Sequence, residues 1–208
     1  MAGKGALAEY QRRRDFARTR EPQGGGGEAG DRPVFVVQIH DASSLHFDFR
    51  LEADGVLKSW AVPKGPSYDP QDKRLASPTE DHPMEYRGFE GVIGEGQYGA
   101  GTVIVWDQGT YRNLSKDRNG EEIPMAEALE RGHASFWLDG DKLHGGYALT
   151  RMRRGGGSGG GGRDREAWLL VKESDRHAGK GHGTDPQRAR SALSGRTLGQ
   201  VAAEDEER

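Results

Sequence analysis

The sequence predicts an all-β-dominated fold, either a barrel or a sandwich. The stretch from 33 to 173 holds seven or eight short runs of alternating or β-branched apolar residues. Turn signals separate those runs about every ten residues, as in antiparallel barrels and sandwiches. No strand-like run alternates with a long helical one, which argues against a parallel α/β sheet. The 208 residues suit one domain of about 150 residues with flanking segments. Residues 1–32 read as a basic N-terminal arm with a helix and a Gly-rich linker. Residues 33–173 read as the β domain, with a flexible Gly-rich loop at 155–162, and residues 174–208 as a polar C-terminal tail.

Taken in order, Gly5 to Arg20 is expected to be helical, because Ala6, Leu7, Tyr10 and Phe16 lie among good helix formers. Glu21-Pro22 stops that helix, and Gly24 to Gly27 belong to a flexible linker. The period then changes. Val34–His40 is a strand, Leu45–Ala53 alternates as a second, and Asp54-Gly55 is a hairpin signal leading into a third, Val56–Val62. Ser67–Tyr86, with three prolines and many turn formers, reads as a long loop. Gly101–Asp107 is a strand and Gly109–Ser115 its expected hairpin partner. Pro124–Gly132 is a short helix with proline at its start and glycine past its end. His133–Gly140, Leu143–Met152 and Glu166–Glu173 complete the strands, and Ser194–Arg208 reads as a terminal helix or a linker.

The chain has no cysteine, which excludes disulfides, thiolate catalysis and thiolate metal sites. No apolar run approaches the roughly 18 residues of a membrane helix and there is no signal-peptide pattern, so a cytoplasmic protein with no membrane partner is expected. The net charge of -3 is not that of a chain that coats nucleic acid. The charge is nevertheless uneven. Arg12, Arg13, Arg14, Arg18 and Arg20 crowd the arm, Arg151, Arg153 and Arg154 form a second basic knot, and Glu204–Glu207 is acidic. Such runs are most often solvated faces.

The run HDASSLHFDFR, His40 to Arg50, carries the strongest chemical signal. Alternation puts Leu45, Phe47, Phe49 and Leu51 on one face and His46, Asp48, Arg50 and Glu52 on the other. A wet polar face is the ordinary reading of such a strand, but wet faces favour Thr, Lys, Glu and Ser over His-x-Asp-x-Arg. The preceding strand ends in His40 with Gln38 on the same face, and the short turn Asp41–Ser44 returns both beside His46 and Asp48. Two imidazoles and a carboxylate suit Mn, Fe, Co or Zn, and three protein ligands leave positions open for a substrate. Arg50 projects to the same face, where its planar fork fits a phosphate or carboxylate. The loop adds Lys64, Arg74, Glu80, His82 and Tyr86, a set able to clamp an anion with His82 as proton donor or charge stabiliser.

These residues carry a resemblance. FVVQIHDASSLHFDFRLEADGVLKSWAVPKGPS, RLASPTEDHPMEYRGFEGVIGEGQYGAGTVIVWDQGTY and the arm segment YQRRRDFARTREP resemble the 3'-phosphoesterase module of bacterial DNA ligase D, over Tyr10 to about Lys172. The resemblance implies a compact antiparallel β-barrel of about eight strands with a few peripheral helices. It implies a manganese-dependent enzyme, with Co2+ or Zn2+ as other possible metals, that trims DNA 3' ends for end joining. The implied substrate is a primer-template with a terminal ribonucleotide. A phosphodiesterase step removes the ribonucleoside and leaves a 3'-phosphate, and a phosphomonoesterase step then leaves a 3'-hydroxyl. The implied metal ligands are His40, His46 and Asp48. Phosphate contacts fall on Arg50, Arg74, His82 and Tyr86, with Gln38, Lys64 and Glu80 in support. Arg14, Asp15 and Glu21 of the arm are implied in the phosphodiesterase step. Polymerase and ligase modules, in the same or a partner chain, and a location with the nucleoid are the implied setting.

Two other readings use the same residues. A non-haem iron oxygenase would combine His46-x-Asp48 with a distant His133 or His144 and Arg151, but leaves His40 without a role. A non-catalytic DNA-end or protein-docking module would keep the pocket without turnover. His133, His144, His177 and His182 otherwise read as structural or solvent residues.

Overall fold

The computed structural model describes residues 5–25, 30–152, 166–181 and 183–206. The expected Gly-rich loop at 155–162, part of the Gly24–Gly27 linker and His182 lie outside the described residues. The elements run α1 (Ala8–Arg12), β1 (Val34–Asp41), β2 (Leu45–Ala53), β3 (Val56–Val62), β4 (Lys73–Pro78), β5 (Gly91–Ile93), β6 (Gly101–Asn113), α2 (Met125–Arg131), β7 (His133–Gly140), β8 (His144–Arg151), β9 (Trp168–Lys172) and α3 (Leu198–Glu206).

The sheet closes on itself. Pairing runs β1-β2-β3-β4-β9-β8-β7-β6, β6 pairs back onto β1, and β5 is added beside the start of β6. All pairs are antiparallel, so the molecule is an eight-stranded antiparallel barrel, and the ring has no free edge. The β2–β3 hairpin turns at Asp54-Gly55, both with positive φ (53° and 76°), the conformation a two-residue hairpin of matching twist demands.

Period-two alternation sorts the side chains. Phe35, Val37 and Ile39 of β1 and Phe47, Phe49 and Leu51 of β2 join the main core, with Trp60, Trp106, Tyr111 and Phe136. Phe49 stacks between Phe35 (6.5 Å between ring centres) and Phe136 (5.8 Å), linking neighbouring strands to one across the core. The other face of the same strands is also covered. Val36, Leu57, Val103 and Val105 pack with Tyr10 of the arm, with Met84 and Tyr86 of a 3-10 turn at Met84–Gly88, and with Phe89 just after it. Burial on both faces explains the unbroken apolar run Val34–Val37.

Four local expectations need correction. The helix covers only Ala8–Arg12, because Asp15 instead closes a turn: its carboxylate accepts from the Ala17 N–H (3.1 Å) and its carbonyl from Arg18 and Thr19. The loop expected at Ser67–Tyr86 contains β4, whose one buried side chain is Ala76, so no apolar alternation advertises it. Gly109 does not begin a hairpin partner, since β6 is one continuous strand. There the backbone pairs with Phe35 on one side and Gly140 on the other, and a Cβ at Gly109 would stand 2.2 Å from the Asp139 carbonyl oxygen. The glycine serves close approach, not a turn. The polar C-terminal segment packs onto the barrel, with Ala189, Leu198 and Val201 in the core and the Ala192 N–H on the Val105 carbonyl.

Phe49 connects fold to site, because its strand neighbours Asp48 and Arg50 face the opposite way. Phe49→Ala is expected to lower unfolding free energy by about 3–5 kcal/mol, measured by denaturant titration. A loss below 1 kcal/mol would contradict its placement at the centre of the core.

Candidate metal centre and phosphate cleft

Register assembles the centre. In the β1–β2 pair His40 stands opposite His46, and Gln38 opposite Asp48. His40, His46 and Asp48 line a cleft of about 270 Å³ roofed by the arm and the segments at 79–86 and 93–99, and Gln38 is buried beneath it. One ligand atom from each of His40, His46 and Asp48 lies within 4.8 Å of the others, and among the described residues no other such group of three occurs.

The imidazoles are oriented by backbone. His40 Nε2 donates to the Gly99 carbonyl at 2.7 Å, leaving Nδ1 facing Asp48 Oδ2 at 3.7 Å. His46 Nδ1 donates to the Ser44 carbonyl at 2.8 Å, leaving Nε2 facing Asp48 Oδ1 at 3.5 Å. In these tautomers two nitrogen lone pairs and a carboxylate converge, an arrangement that favours a cation between them. Histidine ligands are commonly oriented by a carbonyl on the far ring nitrogen in this way. The donor set therefore fits a divalent transition metal; its identity is not fixed by the ligands.

Behind the ligands lies a buried guanidinium. Arg50 donates to Gln38 Oε1 (2.8 Å) and Asp48 Oδ2 (3.1 Å), and its Nη1 is 3.1 Å from His82 Nδ1. Gln38 is oriented by its own amide nitrogen, which donates to the Tyr86 and Phe89 carbonyls. Burial would raise the Asp48 carboxyl, but Arg50 and the two imidazoles outweigh it and hold Asp48 well below the usual carboxylate range. Burial lowers His46, but its hydrogen bond and charge attraction to Asp48 prevail and leave it above the ordinary histidine value.

His82 sits at the junction of cleft and arm. Its backbone bridges to Leu57 of β3 and its Nδ1 is 2.8 Å from the Glu80 carbonyl. Burial first, then the charges of Arg50 and Arg14, push its pKa well below the ordinary value, so the ring is neutral at neutral pH. Arg14 ties the arm down through Glu21 (2.9 Å), Glu80 (3.1 Å) and the Tyr10 carbonyl, with a longer contact to His82 Nε2 (3.4 Å). Tyr86, raised by burial and by the Glu21 charge, keeps its proton and donates to Glu21 Oε1 at 3.0 Å. Glu21 and Arg14 thus form part of a buried network.

The structure does not bring every expected residue into this cleft. Arg74 lies on β4, outside the cleft lining, with Nη2 on Asp72 at 3.0 Å. Lys64 is exposed on the turn after β3, and Asp15 is exposed and spent on its own turn. His133 contacts Thr150 and His144 lies beside His177, so neither joins His46 and Asp48 in an oxygenase triad. Sequence reading also missed Tyr10, whose ring packs on His82 at 5.1 Å, and Tyr98, which lines the cleft. The aromatic inside the Gly-rich run Gly94–Gly101 was the available signal for Tyr98.

A buried neutral histidine destabilises the folded state in acid. The unfolded chain binds a proton near pH 6.5 that folded His82 refuses, so this contribution to stability is present above pH 6.5 and lost as pH falls toward the depressed folded value. The loss reaches up to about 1.4 kcal/mol per pH unit. His82→Gln is expected to flatten the decline in metal-free stability between about pH 6.5 and 5, read by denaturant titration at each pH. An unchanged slope would contradict a neutral His82.

Comparison with known proteins identifies the family. The family model for the DNA ligase D 3'-phosphoesterase domain matches residues 38–151. The multifunctional non-homologous end joining protein LigD of Pseudomonas aeruginosa is 48% identical over 202 residues, 95% of this chain and 22% of that protein. The multifunctional non-homologous end joining DNA repair protein LigD of Mycobacterium tuberculosis is 44% identical over 146 residues, 70% of this chain and 18% of that protein. The chain thus spans about a fifth of the length of these curated relatives. From the match over more than half its length, we conclude that the chain belongs to the DNA ligase D 3'-phosphoesterase domain family.

Proposed function

We propose that this protein is a manganese-dependent phosphoesterase that cleans DNA 3' ends before joining. Its substrate is a primer-template ending in a ribonucleotide. In the first step water adds to phosphorus and the phosphorus–O5' bond breaks, releasing the terminal ribonucleoside and leaving a 3'-phosphate; in the second, water adds again and the phosphorus–O3' bond breaks, releasing inorganic phosphate and leaving a 3'-hydroxyl. The observation that carries the reading is the placement of three residues able to hold a metal beside a buried guanidinium braced by Gln38 and Asp48 in one cleft. Family membership and the names of the end-joining relatives support it.

His40, His46 and Asp48 would hold the metal, which when bound neutralises a non-bridging phosphate oxygen and polarises the phosphorus. Arg50, held by Gln38 and Asp48, presents a preorganised positive charge to the equatorial oxygens, where phosphoryl transfer needs it most. His82 is neutral because of burial and two nearby guanidiniums. An incoming phosphate anion offsets those charges, so His82 can take a proton and deliver it to the departing oxygen. Tyr86 and Glu21 hold the arm over the cleft, which keeps Arg14 beside Glu80 and His82. Polymerase and ligase modules, in this or a partner chain, would supply the end and seal it.

The test uses a primer-template whose primer ends in one ribonucleotide, with metal-stripped protein and added manganese. Products are resolved by length and 3'-end chemistry. Stepwise appearance of the 3'-phosphate and then the 3'-hydroxyl, abolished by chelation and by His46→Ala, is expected. His82→Ala should lose at least about 100-fold in turnover while retaining its fold by circular dichroism. No cleavage by folded, metal-loaded protein would favour a docking module, and near-normal turnover of His82→Ala would remove His82 from the chemistry.

A further inference from the structure

The roof of the cleft contains an arrangement that the phosphate chemistry does not use. Tyr98 rises from the loop between β5 and β6, lines the cleft beside the metal group, and is 47% exposed. Its position is fixed from below. Two successive turns, Gln97 N–H to the Gly94 carbonyl and Ala100 N–H to the Gln97 carbonyl, shape the loop. The next residue, Gly99, supplies the carbonyl that orients His40. The ring is therefore held in register with the metal ligands.

Its position is fixed from above as well. The Arg13 guanidinium lies 4.7 Å from the Tyr98 ring centre, and Arg13 Nη1 donates to the Tyr98 hydroxyl. The same Nη1 reaches Glu80 Oε2 at 3.3 Å. Arg13 thus ties the Tyr98 loop to Glu80. Tyr98 and the metal group line the same cleft, so a nucleoside esterified to a phosphate held there has an aromatic neighbour. An aromatic ring paired with a guanidinium is a general platform for a nucleobase, tolerant of base identity because every base offers a π-face.

We propose that Tyr98, braced by Arg13, stacks on the base of the terminal nucleoside, the group that leaves in the phosphodiester step. The inference rests on the reading of this cleft as a DNA 3'-end site and names the contact that selects a terminal unit there. The platform grips the leaving nucleoside only. A primer that already ends in a 3'-phosphate has nothing to place on it.

The experiment compares wild type, Tyr98→Ala and Tyr98→Phe on three primer-templates. One ends in a ribonucleoside, one in an abasic ribose and one in a 3'-phosphate. Tyr98→Ala is expected to lower kcat/KM on the ribonucleoside end by roughly 5- to 150-fold, mainly through KM, with Tyr98→Phe retaining most activity. The Tyr98→Ala effect should vanish on the abasic end and on the 3'-phosphate end. Equal losses on all three ends would make Tyr98 structural or place it on the retained strand, and no loss on the ribonucleoside end would leave it without a substrate role; both overturn the proposal. A separate arm records fluorescence of a primer ending in a 2-aminopurine ribonucleoside, with metal-free protein. Quenching by wild type and Tyr98→Phe but not Tyr98→Ala is expected, and equal quenching by all three overturns the proposal. This arm reads stacking without turnover, so absence of cleavage by wild type counts against the phosphoesterase reading and not against the stacking contact.

Discussion

The site depends on the register of one antiparallel pair, which sets His40 against His46 and Gln38 against Asp48. A one-residue slip would turn these groups into the barrel and expose Phe47 and Phe49 to the cleft. The apolar face therefore enforces the polar one. Phe35, Val37, Ile39, Phe47, Phe49 and Leu51 have only one way to be buried together, and that arrangement places both imidazoles and the carboxylate side by side. The same alternation that makes the core makes the candidate metal centre.

Burying that polar face carries an electrostatic cost, which a chain of mutual partners offsets. Asp48 is paired by Arg50, Arg50 is shared with Gln38, Arg14 is divided between Glu21 and Glu80, and Tyr86 closes the chain on Glu21. A buried pair of this kind adds little net stability, yet removing one partner typically costs about 3–5 kcal/mol because the other charge is left uncompensated. The network's main effect is positional. It makes the N-terminal arm, which is polar and short of core residues, an integral wall of the cleft, and it holds cationic groups rigid where an anion would bind.

Much of this was legible in the sequence where chemistry and periodicity coincide. Leu45–Ala53 alternates without a break, the Asp54-Gly55 turn fixes the next pairing, and His-x-Asp-x-Arg stands out against the usual composition of a wet strand. What escaped was set by contacts that leave no local pattern. Strand β4 is held by backbone pairing to β3 and β9 and buries little, so its sequence looks like loop. Gly109 looks like a turn residue but serves the close approach of two backbones. Arg74 was expected at the phosphate, whereas its strand carries it to Asp72. Only the family resemblance drew attention to Arg14 and Glu21; by itself the arm reads as a solvated helix face, because nothing in its own sequence shows that Glu21 and Arg14 find Tyr86 and Glu80 more than fifty residues away.

The central claim is that His40, His46 and Asp48 hold a metal in front of Arg50. The most direct test is anomalous diffraction from crystals of the protein soaked in manganese, recorded beside crystals of Asp48→Asn treated in the same way. The account predicts one strong manganese peak in contact with His40 Nδ1, His46 Nε2 and Asp48 in the wild type, lost or much weakened in the variant. A peak elsewhere with this group empty, or an equal peak in Asp48→Asn, would contradict it.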